Sequence, residues 1–240
     1  MATTTAPPGS PTTRWAPMDS LRKTSFWAGV LYLITFVSIP TLILYGPVKE
    51  AGYIAGAGPD TGVLIGGVLE LIVGLAGIGT AVVLYKVLKR QNQATALGLV
   101  GSRVLEGALI FAGVASILTV VAMRQAGVGA AGLVTGQALV GLYDSTFLVS
   151  QSLIPAVNAL LLGTLLYKSH LVPRVLPVLG LIGAPLLIVG TMGTMFGAWE
   201  VASPPTLLLA LPIATWEFSL GVYLVVKGFR PSPITAGMAA

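Results

Sequence analysis

Residues 62–85 read GVLIGGVLELIVGLAGIGTAVVLY, and the residues that follow, 86–90, read KVLKR. The longer stretch contains a single ionisable residue, Glu70. A helix needs about 20 mainly apolar residues to cross the roughly 30 Å hydrocarbon core of a bilayer. The stretch therefore predicts a transmembrane helix that ends at a basic cluster.

The composition of the whole chain is that of a membrane protein. Of its 240 residues, 55% are hydrophobic and 9% are charged, whereas a soluble domain carries roughly 25% charged residues. There is no cysteine and one histidine, which excludes disulfides, thiolate sites and metal sites built from several histidines. We predict no metal and no cofactor. The net charge of +5 does not indicate a nucleic-acid partner, because the basic residues lie in short clusters between apolar segments.

Six apolar segments predict an all-α, polytopic transmembrane bundle of six helices. Transmembrane barrel strands are excluded because they are shorter and alternate polar with apolar residues. The domain is predicted to cover residues 26–230, between disordered tails at 1–25 and 231–240. The predicted spans are about 26–45, 62–85, 96–123, 144–167, 175–196 and 206–226.

Basic residues predict the orientation of the bundle. Ten lysines and arginines fall on the side of both termini and two, Lys49 and Arg124, on the other side. Cytoplasmic loops carry the excess of basic residues, so we predict both termini in the cytoplasm and the bundle in the cell inner membrane. Tyr45 and Tyr143 are interpreted as interface residues at external helix ends. The loop 124–143 is predicted either to lie on the membrane surface or to re-enter it.

Four ionisable side chains fall inside predicted spans: Glu70, Arg103, Glu106 and Glu217. A charge at the centre of a membrane helix costs roughly 2.5–3.5 kcal/mol, so these side chains should face the interior and pair or become neutral. Arg103 and Glu106 share a helix face at i,i+3 spacing, and Asn158 is predicted at a similar depth. We predict that the five form one polar layer through the bundle core.

The charge balance of this layer leaves two interpretations open. Three carboxylates face one guanidinium, so we expect at least one acid to be protonated at pH 7, since desolvation favours the neutral form. In the first interpretation the layer binds or transports a small ligand, a cation or a proton. In the second it only holds helices together, and the protein is a structural or regulatory partner of another membrane protein.

No catalytic residue is predicted. The sequence contains no HExxH motif, nucleophile elbow or phosphate-binding glycine loop. A membrane-embedded enzyme acting on lipids is a third hypothesis, supported only by buried carboxylates beside a basic rim. We predict that Lys86, Lys89 and Arg90 in this rim contact anionic headgroups of the lipid bilayer, because basic clusters next to transmembrane helices attract such lipids.

Three pieces of sequence carry a resemblance to a known family. They are Arg103-Val-Leu-Glu106, Leu171-Val-Pro173-Arg174, and Glu217 followed by Lys227-Gly228-Phe229. From about Phe26 to Phe229 the chain resembles a bacterial family of integral-membrane proteins, domain-of-unknown-function family 4386. The resemblance implies a multi-spanning bundle and gives weight to Arg103, Glu106 and Glu217. It implies no activity.

Overall fold

A computed structural model describes residues 19–56, 59–200 and 203–238 of the chain. In this part of the chain the regular structure is helical, without strands, and six segments are long and apolar enough to cross a membrane. The predicted all-α, six-helix class is therefore confirmed. The six spans are Ser20–Leu44, Thr61–Leu88, Gln93–Gln125, Gly129–Ser169, Val175–Met195 and Pro204–Val226.

The first span is interrupted in its second half. Pro40 has no amide proton and its ring clashes with the preceding helical turn, so a regular helix does not continue through it. The hydroxyl of Thr35 donates to the carbonyl of Tyr32 at 2.6 Å, and that of Thr41 donates to the carbonyl of Ser38 at 2.7 Å. Such local bonds compete with the helical pattern. The parts of this span are α1 (Ser20–Ile34), a 3₁₀ turn (Thr35–Ser38) and α2 (Thr41–Leu44).

Two short helical elements follow, and after them come two long helices. Asn92 caps the helix that begins at Gln93 with its side chain, which accepts from the amide of Thr95 at 2.9 Å. A side-chain oxygen at this position satisfies one of the free amides of the first helical turn. The elements are α3 (Gly46–Lys49), a 3₁₀ turn (Tyr53–Ala55), α4 (Thr61–Leu88) and α5 (Gln93–Gln125).

The fourth span is longer than the predicted one. Residues 133–143, which were predicted to be part of a loop, are helical and pack against α5. Pro155 cannot donate to the carbonyl of Gln151, and the helix widens into a π turn just before it. The parts are a 3₁₀ turn (Gly129–Gly132), α6 (Leu133–Leu148), the π turn (Val149–Leu153) and α7 (Ile154–Ser169).

Six helices close into a ring around the polar interior. In chain order α1, α4, α5, α7, α8 (Val175–Met195) and α9 (Pro204–Val226) each pack on the next, and α9 packs back on α1. The contact between α1 and α9 is tight at Gly29 and Gly221. A Cβ on Gly29 would lie 2.6 Å from the Gly221 carbonyl oxygen. Small residues allow this close approach of membrane helices.

The ring has two faces, which we name by the helix ends that lie on them. The terminal face carries six ends of the spans, Ser20, Leu88, Gln93, Ser169, Val175 and Val226, and the opposite face carries the other six, Leu44, Thr61, Gln125, Gly129, Met195 and Pro204. On the terminal face the Arg22 guanidinium links α1 to the end of α9, because it donates to the carbonyls of Leu224 and Val225.

Most of the predicted C-terminal tail is folded against the terminal face. Residues 231–238 include a 3₁₀ turn, Pro233–Thr235. The Arg230 amide donates to the Leu171 carbonyl at 2.8 Å, and the Ser232 hydroxyl donates to the Ser169 carbonyl. The Ser169 carbonyl belongs to the last turn of α7, where carbonyls have no partner within the helix, and Leu171 lies in the loop that follows. At the other terminus, α1 begins at Ser20 inside the predicted tail, and residues 1–18 lie outside the described residues.

Two buried clusters lie above and below the polar interior. The cluster nearer the terminal face contains Leu84, Leu166 and Trp216. The cluster nearer the opposite face contains Tyr45 and Tyr143. These tyrosines are 1% and 4% exposed, so their interpretation as interface residues is wrong. Both tyrosines are buried because their phenol groups contact a buried carboxyl group.

Candidate functional site

Four of the five predicted site residues meet at one place in the ring. Arg103 and Glu106 come from α5, Glu217 from α9 and Asn158 from α7. They lie nine to thirteen residues from their helix ends on the terminal face, or about 14–20 Å at the helical rise. A fifth side chain, Tyr32 of α1, joins them. We call these five residues the Arg103 cluster.

The Arg103 guanidinium is the centre of this cluster. One terminal nitrogen donates to both carboxylate oxygens of Glu106, at 3.0 and 3.2 Å. The other donates to Glu217 Oε1 at 3.1 Å and to the Tyr32 hydroxyl at 3.2 Å. The Tyr32 ring also faces the guanidinium, with 5.5 Å from the ring centroid to Cζ. Arg103 thus links three helices, α1, α5 and α9.

Asn158 extends the cluster to α7. Its amide nitrogen donates to Glu106 Oε2 at 2.8 Å, so both oxygens of Glu106 are bonded. Its amide oxygen is buried and has no hydrogen-bond partner among the described residues. A buried polar atom without a partner is rare in folded proteins and marks a place where another polar group would be stabilising.

A cavity of about 240 Å³ borders the cluster. Arg103, Glu106 and Glu217 line it on one side, and the irregular parts of two spans line it elsewhere. Thr35, Phe36 and Ile39 come from the break in the first span, and Gln151 and Pro155 from the π-turn region. Non-helical backbone at membrane depth is tolerated where it is buried in protein or lines a cavity.

Glu70 does not belong to the Arg103 cluster, in contrast to the predicted single layer. It lies about 18 residues, or about 27 Å, from the terminal-face end of α4. The Tyr143 hydroxyl donates to Glu70 Oε1 at 2.7 Å, and the Thr41 and Tyr45 hydroxyls lie 3.5 Å from its oxygens. The carboxyl is 1% exposed and forms no salt bridge with the described residues.

The sequence did not predict the tyrosines that contact Arg103 and Glu70. Tyr32 lies within the first apolar segment, where a buried hydroxyl needs a hydrogen-bond partner. Its position could therefore have indicated that it belongs to the polar site. Tyr45 and Tyr143 stand near span ends, where tyrosine is also common as an interface residue. Position alone therefore did not separate the two roles.

The family model described as "Domain of unknown function (DUF4386)" matches residues 27–228. The chain belongs to the DUF4386 family. This confirms the resemblance carried by Arg103-Val-Leu-Glu106 and the other pieces. In this DUF4386 chain the matched region includes the whole Arg103 cluster and Glu70. Comparison with curated proteins and with solved structures found no significant match.

The opposite face of this DUF4386 protein carries a charged contact between loop and helix. Asp60 pairs with Arg124 at 2.9 Å and accepts from Tyr53 at 2.6 Å and from Gln125 at 3.0 Å. The hydrogen bonds from Tyr53 and Gln125 hold the pKa of Asp60 below its ordinary value. Burial and the bond to Asp60 raise the pKa of Tyr53 to about 12. This contact fixes the loop before α4 against the end of α5.

The predicted lipid-contacting residues lie on the terminal face. Lys86, Lys89 and Arg90 are exposed at the end of α4. Arg90 donates to the carbonyls of Ile234 and Ala236, at 3.4 and 3.3 Å. Contact of the three with lipid headgroups stays a prediction. Among the described residues, no group of three or more His, Cys, Asp and Glu side chains is arranged to hold a metal ion.

Proposed function

We propose that this multi-pass DUF4386 protein binds a small organic cation within the membrane, at the cavity beside the Arg103 cluster. Glu217 is the observation on which the proposal rests. Its Oε1 accepts from Arg103, whereas its Oε2 accepts no hydrogen bond from the described residues. At 16% exposed, its side chain is the more accessible of the two carboxylates. Glu217 can therefore accept a further positive group.

The charge of the cluster supports a cation over an anion. Two carboxylates and one guanidinium sum to a formal charge of −1 when all are ionised. The donors of Arg103 that point at Glu106, Glu217 and Tyr32 are already occupied. Interactions between charges strengthen in a low-dielectric interior, so a bound cation would be stabilised and a bound anion repelled.

The size and lining of the cavity support a small ligand with an apolar surface. Ligand pockets for drug-sized molecules are about 300–1,000 Å³, and this one is about 240 Å³. Ile39, Ile110 and Ile213 give it apolar walls, and the Phe36 ring is part of them. Aromatic faces attract quaternary ammonium groups. Small quaternary ammonium ions fit this combination of ring, apolar wall and carboxylate.

Binding of tetramethylammonium and tetraethylammonium to the purified chain in lipid nanodiscs tests the proposal. We expect calorimetry to show binding by the wild type and at least about tenfold weaker binding by Glu217→Gln, which corresponds to about 1.4 kcal/mol. Glu200→Gln, at an exposed carboxylate of the opposite face, is the matched control and should bind like the wild type. Equal binding by the wild type and Glu217→Gln, or no binding of either cation by the wild type, would contradict the proposal.

A structural role is the alternative, and Glu106 favours it. Both of its oxygens are bonded to Arg103 or Asn158 within the ring, as expected of a group that holds helices together. The two roles separate experimentally. If the cluster is only structural, Glu106→Gln and Glu217→Gln will both lower thermal stability in nanodiscs, and neither will affect a binding isotherm.

We also propose that the terminal face lies in the cytoplasm and that the membrane is the cell inner membrane. The support is the distribution of basic residues along the sequence, with ten on the side of the termini and two on the other side.

A further inference from the structure

Glu70 is a buried acid that the proposed cation site does not use. It is enclosed by α4, α2 and α6, and its contacts are hydroxyl groups of Thr41, Tyr45 and Tyr143. An ionised carboxylate buried without a cationic partner carries a large desolvation cost, which a single strong bond from a neutral donor offsets only in part. The environment of Glu70 therefore differs in kind from that of Glu106 and Glu217.

The surrounding hydroxyls offer an ionised Glu70 one close donor, Tyr143 at 2.7 Å from Oε1, whereas the Tyr45 hydroxyl lies 3.5 Å from Oε2. A hydroxyl has one proton to donate, and Thr41 places it on the Ser38 carbonyl at 2.7 Å. Thr41 Oγ1 then faces Glu70 Oε1 at 3.5 Å with only lone pairs. A proton on the carboxyl group would turn this contact between two acceptors into one between a donor and an acceptor.

A cavity lies between the residues that contact Glu70 and the opposite face. A cavity of about 190 Å³ is lined by the three residues that contact Glu70, Thr41, Tyr45 and Tyr143. Lys49 and Asp144 line the same cavity and pair at 2.6 Å, with about two-fifths of each side chain exposed. Lys49 also lies 5.3 Å from the centroid of the Tyr143 ring. Among the described residues these are the charged groups that face Glu70 from the elements packed on it.

We infer that Glu70 is a proton-binding site, separate from the Arg103 cluster and reached from the opposite face past Lys49 and Asp144. The burial of the carboxyl, the hydroxyl contacts and the adjoining cavity carry this inference. It does not depend on cation binding at Glu217. The site takes a proton from water at the opposite face, and the carboxylate becomes the neutral acid without any other reactant.

Infrared spectroscopy of the full chain in nanodiscs tests the site directly. We expect the wild type at neutral pH to show the C=O stretching band of a protonated carboxylic acid. Glu70→Gln should lose this band, and Glu217→Gln should keep it. If the spectra of wild type and a folded Glu70→Gln do not differ in this band at neutral pH, Glu70 is ionised and the inference fails.

A second variant keeps the test valid if Glu70→Gln does not fold. Tyr143→Phe removes the donor to Glu70 Oε1, so the band should persist at a changed frequency, because the carboxyl group loses its short hydrogen bond. An unshifted band would show that it arises from another acid.

The rate of proton exchange at Glu70 tests the route to the site. Asp144→Asn breaks the ion pair with Lys49, and we expect faster exchange of the Glu70 proton when the sample is transferred to D₂O, seen as a faster isotope shift of the band. Lys89→Gln on the terminal face is the control and should leave the exchange rate unchanged. Faster exchange with Lys89→Gln and not with Asp144→Asn would overturn the assigned route.

Discussion

Arg103 and Glu70 show two solutions to the cost of an ionisable side chain in a membrane interior. Arg103 is 5% exposed and bonds two carboxylates and a phenol. Among the described residues, the polar groups that contact Glu70 are hydroxyls. An ion pair compensates charge with charge, whereas an acid without a cation lowers its cost by binding a proton. The two residues are therefore suited to different ligands.

Replacing Arg103 should be costly at the level of the single residue. Arg103→Leu leaves Glu106 and Glu217 buried without their cation, and breaking a buried pair from one side costs about 3–5 kcal/mol. We expect a drop of that size in the free energy of unfolding, measured by denaturant titration in micelles.

Two comparisons show whether the missing charge is the cause. Arg174→Leu, at an exposed position of the terminal face, should change stability little. Adding Glu106→Gln to Arg103→Leu should restore part of the loss, because one uncompensated carboxylate is removed. A double variant less stable than Arg103→Leu alone would show that side-chain packing, and not charge, dominates.

At the scale of elements, the interruptions in two spans shape the interior. The 3₁₀ turn before Pro40 and the π turn before Pro155 both lie beside the cavity of the Arg103 cluster. The same broken first span contributes Thr35 and Phe36 to this cavity and Thr41 to the surroundings of Glu70. One irregular segment therefore contacts both proposed sites.

The contact between α1 and α9 closes the ring and is sensitive to side-chain size. We expect Gly29→Ala to lower the thermal unfolding midpoint, since its Cβ would lie 2.6 Å from the Gly221 carbonyl oxygen and 2.8 Å from the Val225 amide nitrogen. Backbone atoms cannot move aside as a flexible side chain can, so the helices must separate. Differential scanning fluorimetry in nanodiscs measures the effect.

A matched glycine in another helix supplies the control. Gly98 lies in α5, and a Cβ added there would meet nothing within 4 Å. Gly98→Ala should keep the wild-type midpoint or raise it slightly, because alanine favours helix over glycine by roughly 0.5–1 kcal/mol. Equal midpoints for the two variants would show that the α1–α9 contact adapts to a methyl group.

At the scale of the whole molecule, the distribution of basic residues predicts which face meets the cytoplasm. The chain has no cysteine, so each introduced cysteine reports one position. We expect a membrane-impermeant maleimide to label Glu50→Cys and Glu200→Cys on intact spheroplasts. Lys89→Cys and Lys168→Cys should react only after the membrane is permeabilised. The reverse pattern would place the terminal face outside.

Much of this architecture can be predicted from local sequence properties. Span number follows from apolar runs such as 62–85, because only a helix satisfies its own backbone in lipid. The pairing of Arg103 with Glu106 follows from their i,i+3 spacing on one helix. The family also follows from short local pieces of sequence. Each of these depends on residues near one another in the chain.

What depended on the tertiary structure involves residues far apart in the chain. The helix ring brings Glu217 and Tyr32 to Arg103. It also places Glu70 about 12 Å nearer the opposite face than Arg103, as estimated from the helical rise. Tyr45, at the end of α2, and Tyr143, on α6, contact a buried carboxyl because the fold brings both hydroxyls to Glu70 on α4. The sequence determined which side chains need partners in a membrane. Helix packing decided which partner each one found, because depth and facing direction are properties of the assembled bundle.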